Sequence, residues 1–175
     1  MAICTSLSAY ASQCGESLRA GTKKVYMVAF GDLKKATGST DVYTMSAGVV
    51  NAITLDTSKK FVKVDFADKS QSFTENWTQA ENGIVSGTAG FTAGLSGFTK
   101  ESGAFVKSLL GVPVVVLAEL GSGKWIAVGL DGGFKMTESA GTHSATESGR
   151  NLTFGGDIYD TVPEVDETLI TSITA

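Results

Sequence analysis

PVVVLAELGSGKWIAVGLD, residues 113–131, is the stretch on which the fold turns. Its first eight residues are apolar without alternation, the pattern of a strand buried on both faces. Gly121-Ser122-Gly123-Lys124 then turns the chain, and the run from Lys124 to Asp131 alternates, placing Ile126, Val128 and Leu130 on one face. Asp131-Gly132-Gly133 supplies the next turn. Beyond it, GFKMTES (133–139) and residues 144–158 continue as a meander, with Leu152, Phe154 and Ile158 sharing a face and a polar loop carrying His143 between them.

Upstream of this stretch lies one helical pattern. TKESGAFVKSLLG (99–111) spaces Phe105 and Leu109 four apart, and Val106 and Leu110 likewise, which makes a single apolar stripe. Thr99 suits the N-cap, Glu101 suits the positive end of the dipole, and Gly111 followed by Pro113 stops the helix. Further toward the amino terminus the strand signals return. Lys24–Phe30 (KVYMVAF) and Val49–Asp56 are apolar runs, and KFVKVDF from Lys60 sets Val62, Val64 and Phe66 opposite Lys63 and Asp65. Ser70–Thr78 puts Phe73 and Trp77 on one side.

Two segments resist a simple reading. Residues 32–48 lack a period and are rich in Gly, Ser and Thr, so a long loop or an extended hairpin is expected there. Residues 83–98 (GIVSGTAGFTAGLSGF) read either as a hairpin softened by glycine or as a flexible segment whose Phe91 and Phe98 dock elsewhere. The final TVPEVDETLITSITA is acidic and then mildly apolar, an edge strand or a tail laid on a neighbour. The expectation is a single domain, residues 1–175, with an N-terminal arm (1–23) and an acidic C-terminal tail (157–175). The fold class expected is mainly β, a sandwich or barrel of antiparallel strands with one flanking α-helix at about 99–111.

Composition agrees with a packed β-protein: 42% hydrophobic and 18% charged residues, two prolines and 21 glycines. Fourteen basic against eighteen acidic side chains leave −4, the wrong sign for gripping nucleic-acid phosphates. The charge is uneven: Arg19, Lys23, Lys24, Lys34 and Lys35 cluster early, whereas Asp157, Asp160, Glu164, Asp166 and Glu167 crowd the end. This reads as surface scatter with an acidic tail, or as two complementary ends that meet between subunits. No signal-peptide pattern or apolar run of about 20 residues is present, so a cytoplasmic site of synthesis and no membrane span are expected. In that compartment the sequons at Asn76 and Asn151 are chance matches, and Cys4 and Cys14 are expected to be free thiols, with a disulfide as the alternative.

Catalytic patterns fail on inspection. Gly121–Lys124 imitates a phosphate loop, but Ala118 stands where its first glycine belongs and Trp125 where a hydroxyl is needed. A dinucleotide fingerprint would require glycine or alanine where Ile126 stands. No serine lies in G-x-S-x-G, and a Ser-His-Asp site would have to use His143, the only histidine, in a polar loop. Asp157 and Asp160 lack anything that would raise one carboxyl for acid-base work. Trp77, Trp125 and Tyr159 could stack on sugars, yet both tryptophans sit in strand patterns that suit core packing. No catalytic, cofactor-binding or metal-ligating residue is expected.

The order of parts resembles the tail tube proteins of tailed bacteriophages and, more loosely, the tube subunits of contractile injection systems. The resemblance rests on MAICTSLSAYASQC before KVYMVAF, on the helix leading into PVVVLAEL and KWIAVGL, and on GFKMTES, its loop and GRNLTFGGD. It implies a structural virion protein that self-assembles into stacked hexameric rings, made in the host bacterial cytoplasm. Residues 32–48 would then be an inter-subunit loop, and the partners would be further copies, other tail proteins, and genomic DNA passing through the lumen without specific binding. Residues 83–98 have no place in that pattern, which keeps a capsid decoration or neck protein as the alternative.

Overall fold

The structure is a computed structural model that describes residues 21–35 and 41–175. Its centre is the stretch quoted above. β7 (Val114–Leu120) carries Val115, Val116, Leu117 and Ala118 with no exposed surface, each valine and leucine side chain contributing about 1.5–3 kcal/mol on burial. It lies between β8 (Trp125–Val128) and β1 (Thr22–Ala29), both antiparallel to it. Four further strands complete a seven-stranded sheet: β2 (Tyr43–Ser46), β3 (Val49–Ile53), β4 (Val62–Lys63) and β11 (Glu164–Val165), in the order β2-β3-β11-β8-β7-β1-β4. β11 runs parallel to β3 and antiparallel to β8.

A second sheet has four antiparallel strands in the order β5-β6-β10-β9: β5 (Ser72–Gln79), β6 (Val85–Ser96), β9 (Lys135–His143) and β10 (Ser148–Ile158). Together the sheets form a β-sandwich. The first core lies between them, where Phe91 stacks on Phe73 at 4.6 Å and on Phe154 at 5.8 Å, over Val114, Val116 and Val128. The second core lies on the other face of the seven-stranded sheet, under α2 (Glu167–Ile173), where Ile170 and Ile173 meet Phe61, Leu117 and Trp125.

The helix at the centre of the chain is as read. α1 (Lys100–Leu109) begins with a capping box: the Ser102 N–H donates to Thr99 Oγ1, and the Thr99 N–H to Ser102 Oγ, both at 3.1 Å. Leu109 is buried and Phe105 and Val106 half-buried, but Leu110 is exposed because the helix ends one residue earlier and its side chain leaves the stripe.

Several expectations need correction. The 83–98 segment is not a hairpin in itself but contains one twelve-residue strand, β6, between β5 and β10, with Phe91 in the first core. Of the two readings of 32–48 the hairpin holds in part: Tyr43–Ser46 is strand β2, joined to β3 through Ala47 and Gly48, both at positive φ; residues 36–40 lie outside the described residues. Of KFVKVDF, only Val62–Lys63 is strand. Phe61, off the expected face, is fully buried because its backbone bonds to the end of α2, while Val62 stays exposed at the sheet edge. Leu130 leaves the face of Ile126 and Val128 for the second core, since Gly129 at φ +86° breaks the alternation. A Cβ there would lie 2.7 Å from the Val114 carbonyl oxygen, so only glycine fits.

The segment 157–175 is not a tail. It supplies the end of β10, then β11 inside the large sheet, then a second helix, so the sandwich has two helices and not one. At the other end, Thr22 and Lys23 of the 1–23 arm already belong to β1; the rest of that arm up to residue 20, with Cys4, Cys14 and Arg19, lies outside the described residues.

Candidate assembly surface

The residues first considered for chemistry are scattered. His143 ends β9 at the tip of the β9–β10 hairpin, exposed, with Nδ1 3.1 Å from Ser148 Oγ and its ring 6.3 Å from that of Phe98. Arg150 places its guanidinium carbon over the same Phe98 ring at 3.9 Å and donates to Ser102 Oγ, tying the hairpin to the start of α1. Trp125 is core, tilted on Tyr26 at 5.8 Å. Trp77 is 40% exposed, contrary to the core reading, and its indole donates to Glu75 Oε1 at 2.6 Å.

Gly121–Lys124 is the tight turn expected, and Lys124 Nζ lies 3.3 Å from Glu164. Lys23 and Lys24 both reach Glu119 at 3.4 Å. Lys23 and Lys24 of the early basic group and Glu164 of the late acidic group thus find partners inside the chain, which takes those three out of any contact between complementary ends. Asp166 caps α2: the Thr168 N–H and then its hydroxyl hold the Asp166 carboxyl below the usual range. Asp157 and Asp160 line a crevice with Tyr43 and Asp131. There Tyr43 donates to Asp131 at 3.0 Å, and burial first, then that bond and the charges of Asp131, Asp41 and Asp160, push its hydroxyl up to about 12. Asn76 sits on β5 and Asn151 on β10, and Tyr159 projects, 80% exposed, just beyond β10.

What the fold leaves uncovered is a sheet. The four-stranded sheet turns one face to the core and, among the described residues, leaves the other open; by strand alternation the open face presents Thr74, Asn76, Thr88, Thr92, Asn151 and Thr153. Only Lys135, Glu138 and Asp157 are ionisable among its strand positions, a net −1. Its outermost strands, β5 with eight residues and β9 with nine, have no partner on their outer side among the described residues. Glu75 is the only charged residue of β5. Long, weakly charged edges of this kind are templates for another strand.

Glycine allows this sheet to lie close to its neighbours. A Cβ on Gly87 would come within 2.6 Å of the Trp77 ring and one on Gly141 within 2.6 Å of Phe98, so both aromatic rings rest directly on backbone. From the sequence the glycines of 83–98 signalled a softened hairpin or a flexible segment; that Gly87 faces Trp77 across a ladder needs the pairing partner. No family of known proteins, curated protein or solved structure matches the chain.

Proposed function

We propose that this chain is the repeating subunit of a bacteriophage tail tube, a structural virion protein that assembles with itself into stacked rings around a lumen for DNA. The observation that carries the reading is the four-stranded sheet with two open edges and one open face. β5 and β9 run in opposite directions, because three successive pairings between them are antiparallel. A copy rotated about a ring axis therefore presents its β9 antiparallel to the β5 beside it, and the hydrogen-bond ladder continues around the ring. Closure into a barrel removes both edges at once.

The open face then lines the lumen. Hydroxyls and amides with a net −1 per copy offer phosphates no cluster of cations, so DNA gains little from counterion release and passes without being held. Further tail proteins would meet the ends of the stack. The role needs no catalytic residue, and the protein belongs in the virion after synthesis in the bacterial host. Negative-stain microscopy of the purified full chain across salt and concentration tests the reading: rings or tubes are expected, and a monomer under all conditions overturns it.

A further inference from the structure

The two open edges do not stand at the same height on the sheet. Ser72 pairs with Thr92, Thr92 with Thr153 and Thr153 with Glu138; in the same way Thr74 leads through Gly90 and Gly155 to Lys135. From that shared level β5 continues to Gln79 toward one end of the sheet, and β9 to His143 toward the other. The inner strands β6 and β10, of 12 and 11 residues, span both. The sheet is a rhomboid, and a copy set beside it at equal height would join only the short stretch from Ser72 to Thr74.

Full pairing needs the neighbour displaced along the strands. An odd displacement would set core-facing side chains of β5 against open-face positions of β9, so the stagger is even. Staggers of four and six residues both give nearly complete overlap. Four sets Trp77 against Met136, Asn76 against Glu138 and Thr78 against Lys135; six sets Trp77 against Ser139 and leaves Met136 to Gln79. The first is the better match. Trp77 faces the core side, with its ring beside Gly87 and Ile158, and Met136 packs on the same side. Met136 and Glu138 take opposite faces only because Thr137 is bulged out of the ladder between them, so successive residues Trp77 and Asn76 meet one each.

Barrel geometry agrees. Four residues at a rise of about 3.4 Å, over four strands about 4.8 Å apart, make about 14 Å of stagger on about 19 Å of sheet, a tilt of about 35°. Six residues would make about 47°. Closed barrels tilt by about 35–45°.

We infer that neighbouring copies join β5 to β9 with a four-residue stagger, Trp77 of one against Met136 of the next, and that the strands cross the ring axis at about 35°. This register rests on the tube reading and specifies its joint. In a chain carrying Cys4→Ser and Cys14→Ser, the pair Asn76→Cys with Glu138→Cys should give a ladder of covalent multimers when assembled protein is oxidised. The pair Asn76→Cys with Ala140→Cys, which a six-residue stagger would bring together, should stay monomeric on the same non-reducing gel. A ladder from the second pair, or rings without a ladder from the first, overturns the register. If the variants fail to assemble, a cryo-microscopy map of the unaltered rings reads it directly: Trp77 beside Met136 is expected. Rings joined elsewhere than β5 and β9 overturn the inference and leave the tube reading standing; no rings from the unaltered chain overturn both.

Discussion

The two sheets of this protein solve the same problem in opposite ways. The seven-stranded sheet offers little edge to a neighbour. Its outer strands are four residues (β2) and two residues (β4) long, too short to recruit a partner, and it is packed on one face by the second sheet and on the other by α2. The four-stranded sheet ends in strands of eight and nine residues and keeps a polar face uncovered. One sheet is the stable body, and the other carries the surface that a second copy can complete.

The contrast breaks most severely at the shared core. Phe91 is fully buried among Phe66, Phe73 and Phe154, so Phe91→Ala should cost about 3–5 kcal/mol and lower the urea midpoint sharply, with assembly lost because the fold is lost. An unchanged midpoint would mean that the four-stranded sheet is not held by this core. Ala140→Lys separates the two properties. It puts a charge on the exposed β9 edge, should leave unfolding within about 0.5 kcal/mol, and should weaken each joint about tenfold or more, as ultracentrifugation would show. Equal assembly by the lysine variant would acquit β9.

Smaller effects sharpen the description of the body. Thr99→Ala removes the α1 cap and should cost about 1 kcal/mol in chemical unfolding, with assembly otherwise intact. The Tyr43 hydroxyl, pushed up to about 12 from an unfolded value near 10, gives a pH signature. Its folded value is the higher, so its contribution is complete below about pH 10 and is lost as pH rises toward 12. Unfolding at pH 9 and pH 11 should show that loss, and Tyr43→Phe should flatten the difference.

The parts legible in the sequence are those whose pattern is local. The unbroken apolar run of β7 announced burial on both faces, and the Thr99 cap with the Phe105–Leu109 spacing announced α1. The face shared by Leu152, Phe154 and Ile158 was equally plain. The parts that were missed depend on distant partners. α2 is seven residues of mostly β-branched composition, poor in helix propensity, and it holds because Asp166 caps it and Ile170 and Ile173 drop into the second core. β11 is two residues, unreadable as a strand, and exists because β3 and β8 leave a slot for it. β6 read as a softened hairpin or a flexible segment because its glycines weaken a strand when counted alone, yet Gly87 is there to receive the Trp77 ring.

The open edges belong to the same class. Residue order and hydrophobic period set the burial of β7, the face of Leu152, Phe154 and Ile158, the α1 stripe and the mild charge, because each of these follows from neighbours a few positions apart. Strand order follows instead from which ladders close around a common core. Only that closure leaves β5 and β9 outermost, with Trp77 and Met136 at opposite edges of one sheet and turned to the same side.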